Sequence, residues 1–128
     1  MDATGNISVL HIDDEPTNVL LFEVNFRWYY RVVSANSGVD GLTKLTQYPN
    51  IKVIFCDMKM PGMNGLEFAR EAAKVKPGVP CFILTGYDIS PEIYHAINEG
   101  WVSGYIQKPF EVDQIISAVN KATRTTTD

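Results

Sequence analysis

Acidic, hydroxyl and ammonium side chains stand directly after the short apolar segments of this sequence. They are Asp13, Asp14 and Glu15 after the first such segment, Asp57 after the third, Thr85 after the fourth and Lys108 after the fifth. Taken alone, the Asp13-Asp14 pair is explained by helix capping, and Lys108-Pro109 by a turn. The combination indicates a shared site, provided that the fold brings the ends of these segments together.

Three aspartates in one cleft require a counter-charge. Carboxylates that lie close together repel and raise one another's pKa unless a cation joins them. Oxygen ligands with room for water suit Mg²⁺ or Mn²⁺, and phosphate oxygens complete the coordination. No His and Cys set offers a zinc site, because His11 and His95 lack partners at ligand spacing. The acidic residues therefore predict a divalent metal site that receives a phosphoryl group.

Asp57 is the candidate nucleophile of this site. An ionised carboxylate needs no general base in order to attack phosphorus. Lys108 and the metal would offset the charge of the incoming group, and Thr85 would hydrogen-bond one of its oxygens. We therefore expect Asp57 to carry an acyl phosphate.

Five apolar segments of strand length would position these side chains. They are Ile7–Ile12, Arg31–Ala35, Lys52–Cys56, Pro80–Leu84 and Gly104–Ile106. Stretches of helix length separate them, and the segments are nearly continuous in apolar residues rather than alternating, which favours a parallel sheet covered on both faces. The sequence thus predicts an α/β fold with a doubly wound five-stranded parallel sheet. Ligands of such sheets bind at the carboxyl ends of the strands, where the candidate residues stand.

Capping residues and prolines mark the helix starts. They are Pro16, Ser37 with Asp40, Asn64 with Glu67, and Ser90 with Pro91. The last helix has the clearest period, with Val112, Ile115, Ile116 and Val119 on one apolar stripe. Near the first helix, an aromatic group is expected to pack in the core and at the sheet edge: Phe26, Trp28, Tyr29 and Tyr30.

The whole chain has the size and composition of one soluble domain. It has 128 residues, 45% of them hydrophobic, and a formal net charge of -4, which implies neither a nucleic acid nor an anionic membrane as a partner. We expect a domain over residues 7–122 between tails 1–6 and 123–128. No apolar run reaches membrane-spanning length and no signal peptide is evident, so a cytoplasmic location is expected. Cys56 and Cys81, each inside an apolar run, are expected to be buried hydrophobic residues.

Four sequence motifs, in this order and spacing, carry a family resemblance. They are Val9-Leu-His-Ile-Asp-Asp-Glu15, Asp57-Met-Lys-Met-Pro-Gly-Met-Asn-Gly65, Leu84-Thr-Gly86 and Gly104-Tyr-Ile-Gln-Lys-Pro-Phe110. From Ile7 to Ala122 the chain resembles the CheY-like receiver domain of two-component response regulators. The resemblance implies a (βα)5 flavodoxin-like fold with strand order 2-1-3-4-5. It also implies a signalling switch, which catalyses only its own aspartyl phosphorylation and dephosphorylation.

The resemblance assigns roles to individual residues. It implies Asp57 as phosphoacceptor, Asp14 and Asp57 as direct Mg²⁺ ligands, Asp13 as a ligand through water, the backbone carbonyl of Lys59 as a further ligand, and Thr85 and Lys108 as phosphoryl-binding residues. Thr85 and Tyr105 would move on phosphorylation, and the Lys108-Pro109 bond is expected to be cis. Side chains at the positions of Lys59 and Tyr87 tune phosphoryl loss across the family. Because a bulky Tyr87 would obstruct the attacking water, we hypothesise slow self-dephosphorylation.

The resemblance also implies partners. The phosphoryl group would come from a sensor histidine kinase or a His-containing phosphotransfer protein. The face formed by the fourth helix, fifth strand and fifth helix, Pro91–Ala122, would then change and meet an effector or a second copy. Trp101 lies on this face, where burial and a role as contact anchor both remain open.

Other functions fit the sequence less well. A haloacid-dehalogenase-like phosphatase requires a second acid two residues after the nucleophile, where this chain has Lys59. A flavodoxin-like FMN carrier would place phosphate against an acidic loop, and a receiver-like domain that is never phosphorylated would not need the acid, Thr and Lys set. The output stays open between a stand-alone regulator, a phosphorelay shuttle and a receiver cut from a longer regulator or hybrid kinase. The nearness of Met1 to the first strand favours an N-terminal receiver.

Overall fold

A computed structural model describes residues 7–124, in which five strands and five helices alternate. The strands are β1 Ser8–Ile12, β2 Arg31–Ala35, β3 Ile51–Asp57, β4 Cys81–Thr85 and β5 Gly104–Gln107. The helices are α1 Pro16–Phe26, α2 Gly38–Gln47, α3 Gly65–Val75, α4 Pro91–Glu99 and α5 Val112–Thr123. The predicted tail 1–6 and residues 125–128 of the other predicted tail lie outside the described residues.

All strand pairs are parallel, and the sheet has the order β2-β1-β3-β4-β5. The chain moves from β1 outward to β2 and then returns to the other side of β1 with β3. The order therefore reverses between β1 and β3, so that Asp13 and Asp57 end neighbouring strands at the point where such sheets bind ligands. The predicted doubly wound fold with order 2-1-3-4-5 is confirmed.

Two apolar cores cover the two faces of the sheet. One lies between the sheet and α2, α3 and α4, and contains Leu45, Phe68 and Ile93. The other lies beneath α1 and α5, and contains Phe26 and Ile115. Nearly every residue of β1 and β3 is buried, as expected for central strands covered on both sides.

The strand ends differ slightly from the sequence prediction. Asp57 and Thr85, expected just after their strands, are the last residues of β3 and β4. The reason is that the backbone ladder continues: the Met58 N–H donates to the Leu84 carbonyl at 2.8 Å, and the Lys108 N–H donates to the Thr85 carbonyl at 2.7 Å. Both side chains are therefore anchored by regular strand geometry instead of a loop.

The predicted helix starts agree with the structure. Pro16 and Pro91 occupy the first turns of α1 and α4, and the Ser90 hydroxyl accepts from the Ile93 N–H. Asn64 and Glu67 form a reciprocal capping box at α3. Such a cap fixes the start of α3 close behind Asp57.

Gly65, the first residue of α3, allows this helix to begin against the end of β3. A Cβ atom at Gly65 would lie 2.6 Å from the Asp57 carbonyl oxygen, well inside van der Waals contact. At Gly86, by contrast, a Cβ atom would meet nothing within 4 Å. Gly65 is thus required by the close approach of α3 to the Asp57 backbone.

Aromatic and sulfur-containing residues divide between core and surface. Cys56 and Cys81 are buried, and burial raises the pKa of the Cys81 thiol to about 12, in agreement with their expected apolar role. Phe26 and Tyr30 are buried as expected, whereas Trp28 is 80% exposed. The packing prediction is therefore wrong for Trp28 and in part for Tyr29, which is 40% exposed but keeps a ring contact with Tyr30, because both residues lie beyond the end of α1.

Trp101 follows α4 and is half-buried. Its ring packs against the core beneath α3 and α4. The His95 ring meets it edge-on at 5.6 Å, and the Arg70 guanidinium lies 5.8 Å from its centroid. Trp101 thus links α4 to α3, with part of the indole left accessible.

Candidate functional site

The carboxyl ends of β1, β3, β4 and β5 bring most of the predicted site residues to one edge of the sheet. Asp13 and Asp57 are buried, whereas Asp14 is half-buried. Each contributes one carboxylate oxygen to a group whose members lie within 4.8 Å of one another. The predicted acidic cluster is therefore present in the folded chain.

Lys108 joins this cluster from the end of β5. Its ammonium Nζ donates to Asp57 Oδ1 at 2.5 Å and lies 3.6 Å from Asp13 Oδ2. The Lys108-Pro109 peptide bond is cis, as the family resemblance implied. One ammonium thus neutralises part of the charge of two buried carboxylates.

The pKa values of Asp57 and Lys108 are shifted by burial and by the contact between the two side chains. Burial raises the pKa of Asp57, Asp13 and Asp14 raise it further, and the Lys108 ammonium offsets part of that rise. For Lys108, burial lowers the pKa, but the Asp57 and Asp13 carboxylates outweigh burial and leave the Lys108 pKa above its usual value. Lys108 is therefore charged at neutral pH.

The residues present fit a divalent cation. Asp13 Oδ1 accepts from the Glu15 N–H at 2.9 Å, but Asp13 Oδ2 has no hydrogen-bond partner among residues 7–124 and is buried. Its nearest cation is the Lys108 ammonium at 3.6 Å, too far for a hydrogen bond, so this buried oxygen can still coordinate a metal ion. Three carboxylates with hard oxygen donors match the chemistry of Mg²⁺.

Thr85 is also at this edge and is only 3% exposed. Its Oγ1 accepts a hydrogen bond from the Tyr87 backbone N–H at 3.1 Å. In the β4–β5 register, Thr85 pairs with Gln107 and Ile83 pairs with Tyr105. Because alternate residues share a face, Tyr105 lies on the same face as Thr85, two register positions deeper in the sheet, and is half-buried.

Lys59 and Tyr87 contact each other across two loops. Lys59 Nζ donates to the Tyr87 hydroxyl at 3.4 Å and lies 4.5 Å from the centroid of the Tyr87 ring. The sequence placed each residue beside the site, since each stands two positions after Asp57 or Thr85. It gave no signal of the contact, because both side chains are exposed and 28 residues apart.

A groove beside the site was not predicted. It has a volume of about 460 Å³ and runs between α1 and the segment after β5. Asp13 and Lys108 line it together with Leu21, Phe22 and Phe110. Its floor includes His11, whose ring stacks on Phe22 with centroids 3.9 Å apart. The available signal was α1 itself, which is apolar on more than one face and so leaves Leu21 exposed.

A parallel sheet of this order, with three acids at the reversal point and a lysine that reaches them from the end of β5, is typical of the receiver class of α/β domains. The chain matches the family described as "Response regulator receiver domain" over residues 9–120, and it belongs to that family. The receiver resemblance inferred from the motifs is therefore confirmed. Phosphorylation and magnesium binding are typical of this family.

Individual proteins show the same relationship. The hydrogenase transcriptional regulatory protein HoxA of Cupriavidus necator is 31% identical over 115 residues, which make up 90% of this chain and 24% of HoxA. The chain thus spans about a quarter of that relative's length. A response regulator receiver domain from Clostridium thermocellum superposes with a TM-score of 0.86 at 31% identity, covering 91% of this chain and 94% of the other.

Proteins of lower sequence identity share the same fold. The chemotaxis protein CheY4 of Vibrio cholerae superposes with a TM-score of 0.81 at 24% identity, covering 91% of this chain and 98% of CheY4. At this identity the likeness establishes the shared fold alone. Within residues 7–124, no helix combines the length and hydrophobicity that crossing a membrane requires.

Proposed function

We propose that this receiver domain is a phosphorylatable signalling switch, and that Asp57 accepts the phosphoryl group from a sensor histidine kinase or a His-containing phosphotransfer protein. The observation that carries the proposal is the placement of Asp57 at the end of a buried strand. There its Oδ1 meets Lys108, and Asp13 and Asp14 lie close by. A rigidly held carboxylate and an adjacent ammonium favour an in-line attack on phosphorus, because they supply positioning and charge stabilisation.

The proposed reaction depends on Mg²⁺ for charge neutralisation but needs no general base. An oxygen of the ionised Asp57 carboxylate forms a bond to phosphorus, and the bond from phosphorus to the donor's imidazole nitrogen breaks. The leaving imidazole departs neutral, with its second ring nitrogen protonated. Lys108 and Thr85 would bind phosphoryl oxygens. The contact of Lys108 with Asp57, and the place of Thr85 directly after Leu84, the register partner of Asp57, support these roles.

Asp13, Asp14 and Asp57, with the backbone carbonyl of Lys59, would hold Mg²⁺ or Mn²⁺. Such an ion supplies charge neutralisation on the phosphoryl oxygens when bound. Asp13 Oδ2, which accepts no hydrogen bond and has the Lys108 ammonium 3.6 Å away, supports a cation at this position.

The groove along α1 supports a docking place for the phosphodonor. It includes Asp13 and Lys108, so a partner covering it would reach the site. The exposed face of α1 beside it is apolar, with Leu20, Leu21 and Val24 all largely accessible. An apolar surface rimmed by the reacting groups suits a transient protein contact.

The response would pass through Thr85 and Tyr105 to the α4-β5-α5 face. Phosphorylation adds charge and acceptor oxygens next to the Thr85 hydroxyl, and Tyr105 lies on the same face of the sheet. The α4-β5-α5 face would then meet an effector or a second copy of the chain. Lys59 and Tyr87 would tune how long the phosphoryl group persists.

Intact mass after incubation with Mg²⁺ and acetyl phosphate tests this function. We expect one phosphoryl adduct on the chain and none on Asp57→Asn, because the amide cannot act as the nucleophile. Asp113→Asn, at an exposed acid of α5, is the matched control and should keep the adduct. An adduct of equal yield on Asp57→Asn would overturn the assignment.

A further inference from the structure

The edge of the sheet opposite the proposed phosphorylation site, where the strands begin, is basic. Five chain segments meet there, and within the described residues none of them contains an acid; they are 27–31, 48–52, 76–81, 100–104 and 124. Together they contain five cationic residues, which are Arg27, Arg31, Lys52, Lys76 and Arg124. We refer to the surface formed by these segments as the basic edge.

The edge that holds the proposed phosphorylation site has the reverse charge. Its segments contain two lysines, Lys59 and Lys108, and six acids, which are Asp13, Asp14, Glu15, Asp57, Asp88 and Glu111. The net charge of -4, which gave no indication of a nucleic-acid partner, thus conceals a separation of charge between the two edges. A polyanion at the basic edge lies away from the acids that would repel it.

Helix ends explain only part of the basic edge. Arg27, Lys76 and Arg124 are the C-cap residues of α1, α3 and α5, where a cation meets the negative end of the helix dipole. Arg31 and Lys52 lie on strands, where no helix dipole accounts for them. Among residues 7–124, neither of these two side chains forms an ion pair, so both charges are available to a ligand.

The position of Lys52 is unusual for a central strand. Lys52 is the exposed residue of the otherwise buried β3, and it has no register partner on β1, because the pairing shifts by one residue at this point. Such a bulge changes the direction of a side chain. On β1, Ser8 pairs with Arg31 on one side and with Ile51 on the other. Arg31 and Lys52 therefore start about 10 Å apart, two strand spacings.

Exposed aromatic side chains accompany these cations. Trp28, which follows α1, is 80% exposed, and the Arg27 guanidinium lies 5.9 Å from its ring centroid. Tyr48, which follows α2, is 46% exposed. Because α1 and α2 cover opposite faces of the sheet, Arg31 and Lys52 lie on the layer between these two rings.

We propose that the basic edge binds single-stranded nucleic acid, with Arg31 and Lys52 contacting phosphate groups and Trp28 stacking on a base. Cations beside exposed rings match the two parts of a nucleotide chain, since phosphates pair with cations and bases stack on aromatic faces. A membrane would instead be recognised by contiguous apolar residues, whereas the rings of this edge belong to separate segments with cations between them. The surface is remote from the phosphorylation site, so this inference does not depend on the proposed function.

Fluorescence anisotropy of a labelled oligothymidylate measures the binding. A length of about 15 nucleotides is within the range that one small domain covers. With the full chain in EDTA and about 50 mM NaCl, we expect a dissociation constant of roughly 10–100 μM that rises with salt. Arg31→Gln and Lys52→Gln should each weaken binding several-fold and each reduce the slope of log K against log[NaCl] by about 0.7. Lys59→Gln, which removes the same charge at the opposite edge, should keep both affinity and slope.

Two outcomes of this titration would overturn the proposal. One is the absence of binding at low salt. The other is binding whose affinity and salt slope are the same in Arg31→Gln, Lys52→Gln and the parent chain, because the phosphate contacts would then lie elsewhere.

The emission of Trp28 tests the stacking contact. Saturating oligothymidylate should quench the parent chain more than Trp28→Phe, and Trp28→Ala should weaken binding at least about fivefold. Tyr94→Ala, at an exposed tyrosine of α4, is the control and should bind like the parent. Equal affinity for a duplex of the same length would refute stacking. Binding to phosphatidylserine vesicles without binding to the oligonucleotide would assign the basic edge to membranes instead.

Discussion

At the scale of single residues, the pKa of Asp57 is raised by some neighbours and lowered by another. Burial and two neighbouring acids favour its neutral form, whereas the Lys108 ammonium favours the carboxylate that would attack phosphorus. A divalent cation at this site would offset the repulsion among the three acids and favour the ionised form of Asp57, and phosphoryl transfer would convert that carboxylate into an acyl phosphate, a mixed anhydride. Burial of the Asp57 carboxylate is thus unfavourable for the stability of the folded chain, and the proposed function explains why the group is placed there.

His11 is a second ionisable residue whose burial is unfavourable for stability at acid pH. Burial, with a smaller contribution from Lys108, lowers the pKa of His11 to about 3, and its Nδ1 has no hydrogen-bond partner among residues 7–124. Between pH 6.5 and about 3 the unfolded chain binds a proton at this position that the folded chain does not. The free energy of unfolding therefore falls as the pH falls, by at most about 1.4 kcal/mol per pH unit from this residue.

Replacing the His11 imidazole should make the free energy of unfolding depend less on pH in the acid range. In His11→Phe we expect a smaller loss of unfolding free energy between pH 6.5 and pH 4.5 than in the parent chain. Urea denaturation at both pH values, without added metal, measures the difference. His95→Gln, at an exposed histidine, should behave like the parent, and an equal loss in His11→Phe would refute the prediction.

At the scale of elements, the start of α3 controls the position of Asp57. Gly65→Ala would force a Cβ atom against the Asp57 carbonyl oxygen, so α3 or the end of β3 must shift. We expect a destabilisation of about 1–3 kcal/mol by urea denaturation, together with a lower yield of the acetyl phosphate adduct. Gly86→Ala, where a Cβ atom meets nothing, should keep both stability and adduct; equal behaviour of the two variants would argue against this close approach.

How well each element could be predicted depended on its environment. The central strands and their order were predictable, because segments such as Val53–Cys56 are apolar throughout and the four motifs carry the receiver pattern. The buried face of α1 was not predictable from the sequence. Leu20 and Leu21 point outward and Phe22 and Phe26 inward, and the helix has few polar residues that would distinguish the two faces. The Lys59–Tyr87 contact left no periodic signal, because exposed loop side chains follow no helix or strand period.

At the scale of the whole molecule, a bound cation should stabilise the fold. The acids contributed by β1 and β3 come together only when the sheet forms, so a metal that binds them favours the folded chain. We expect MgCl2 to raise the thermal midpoint, by the equivalent of about 1.4 kcal/mol at ten times the dissociation constant. Differential scanning fluorimetry measures the shift, with NaCl at matched ionic strength as the control. The shift should shrink strongly in Asp13→Asn, and an undiminished shift would place the cation elsewhere.

The two tryptophans of the chain lie in different environments, so they can serve as intrinsic fluorescence probes. Trp28 is open to solvent beyond α1, whereas Trp101 is half-buried between His95 and Arg70 at the end of α4. Acrylamide should quench the emission of Trp28 first. A Trp28→Phe chain would then fluoresce from Trp101 alone, and changes in its emission maximum would follow the α4-β5-α5 face in real time without an attached dye.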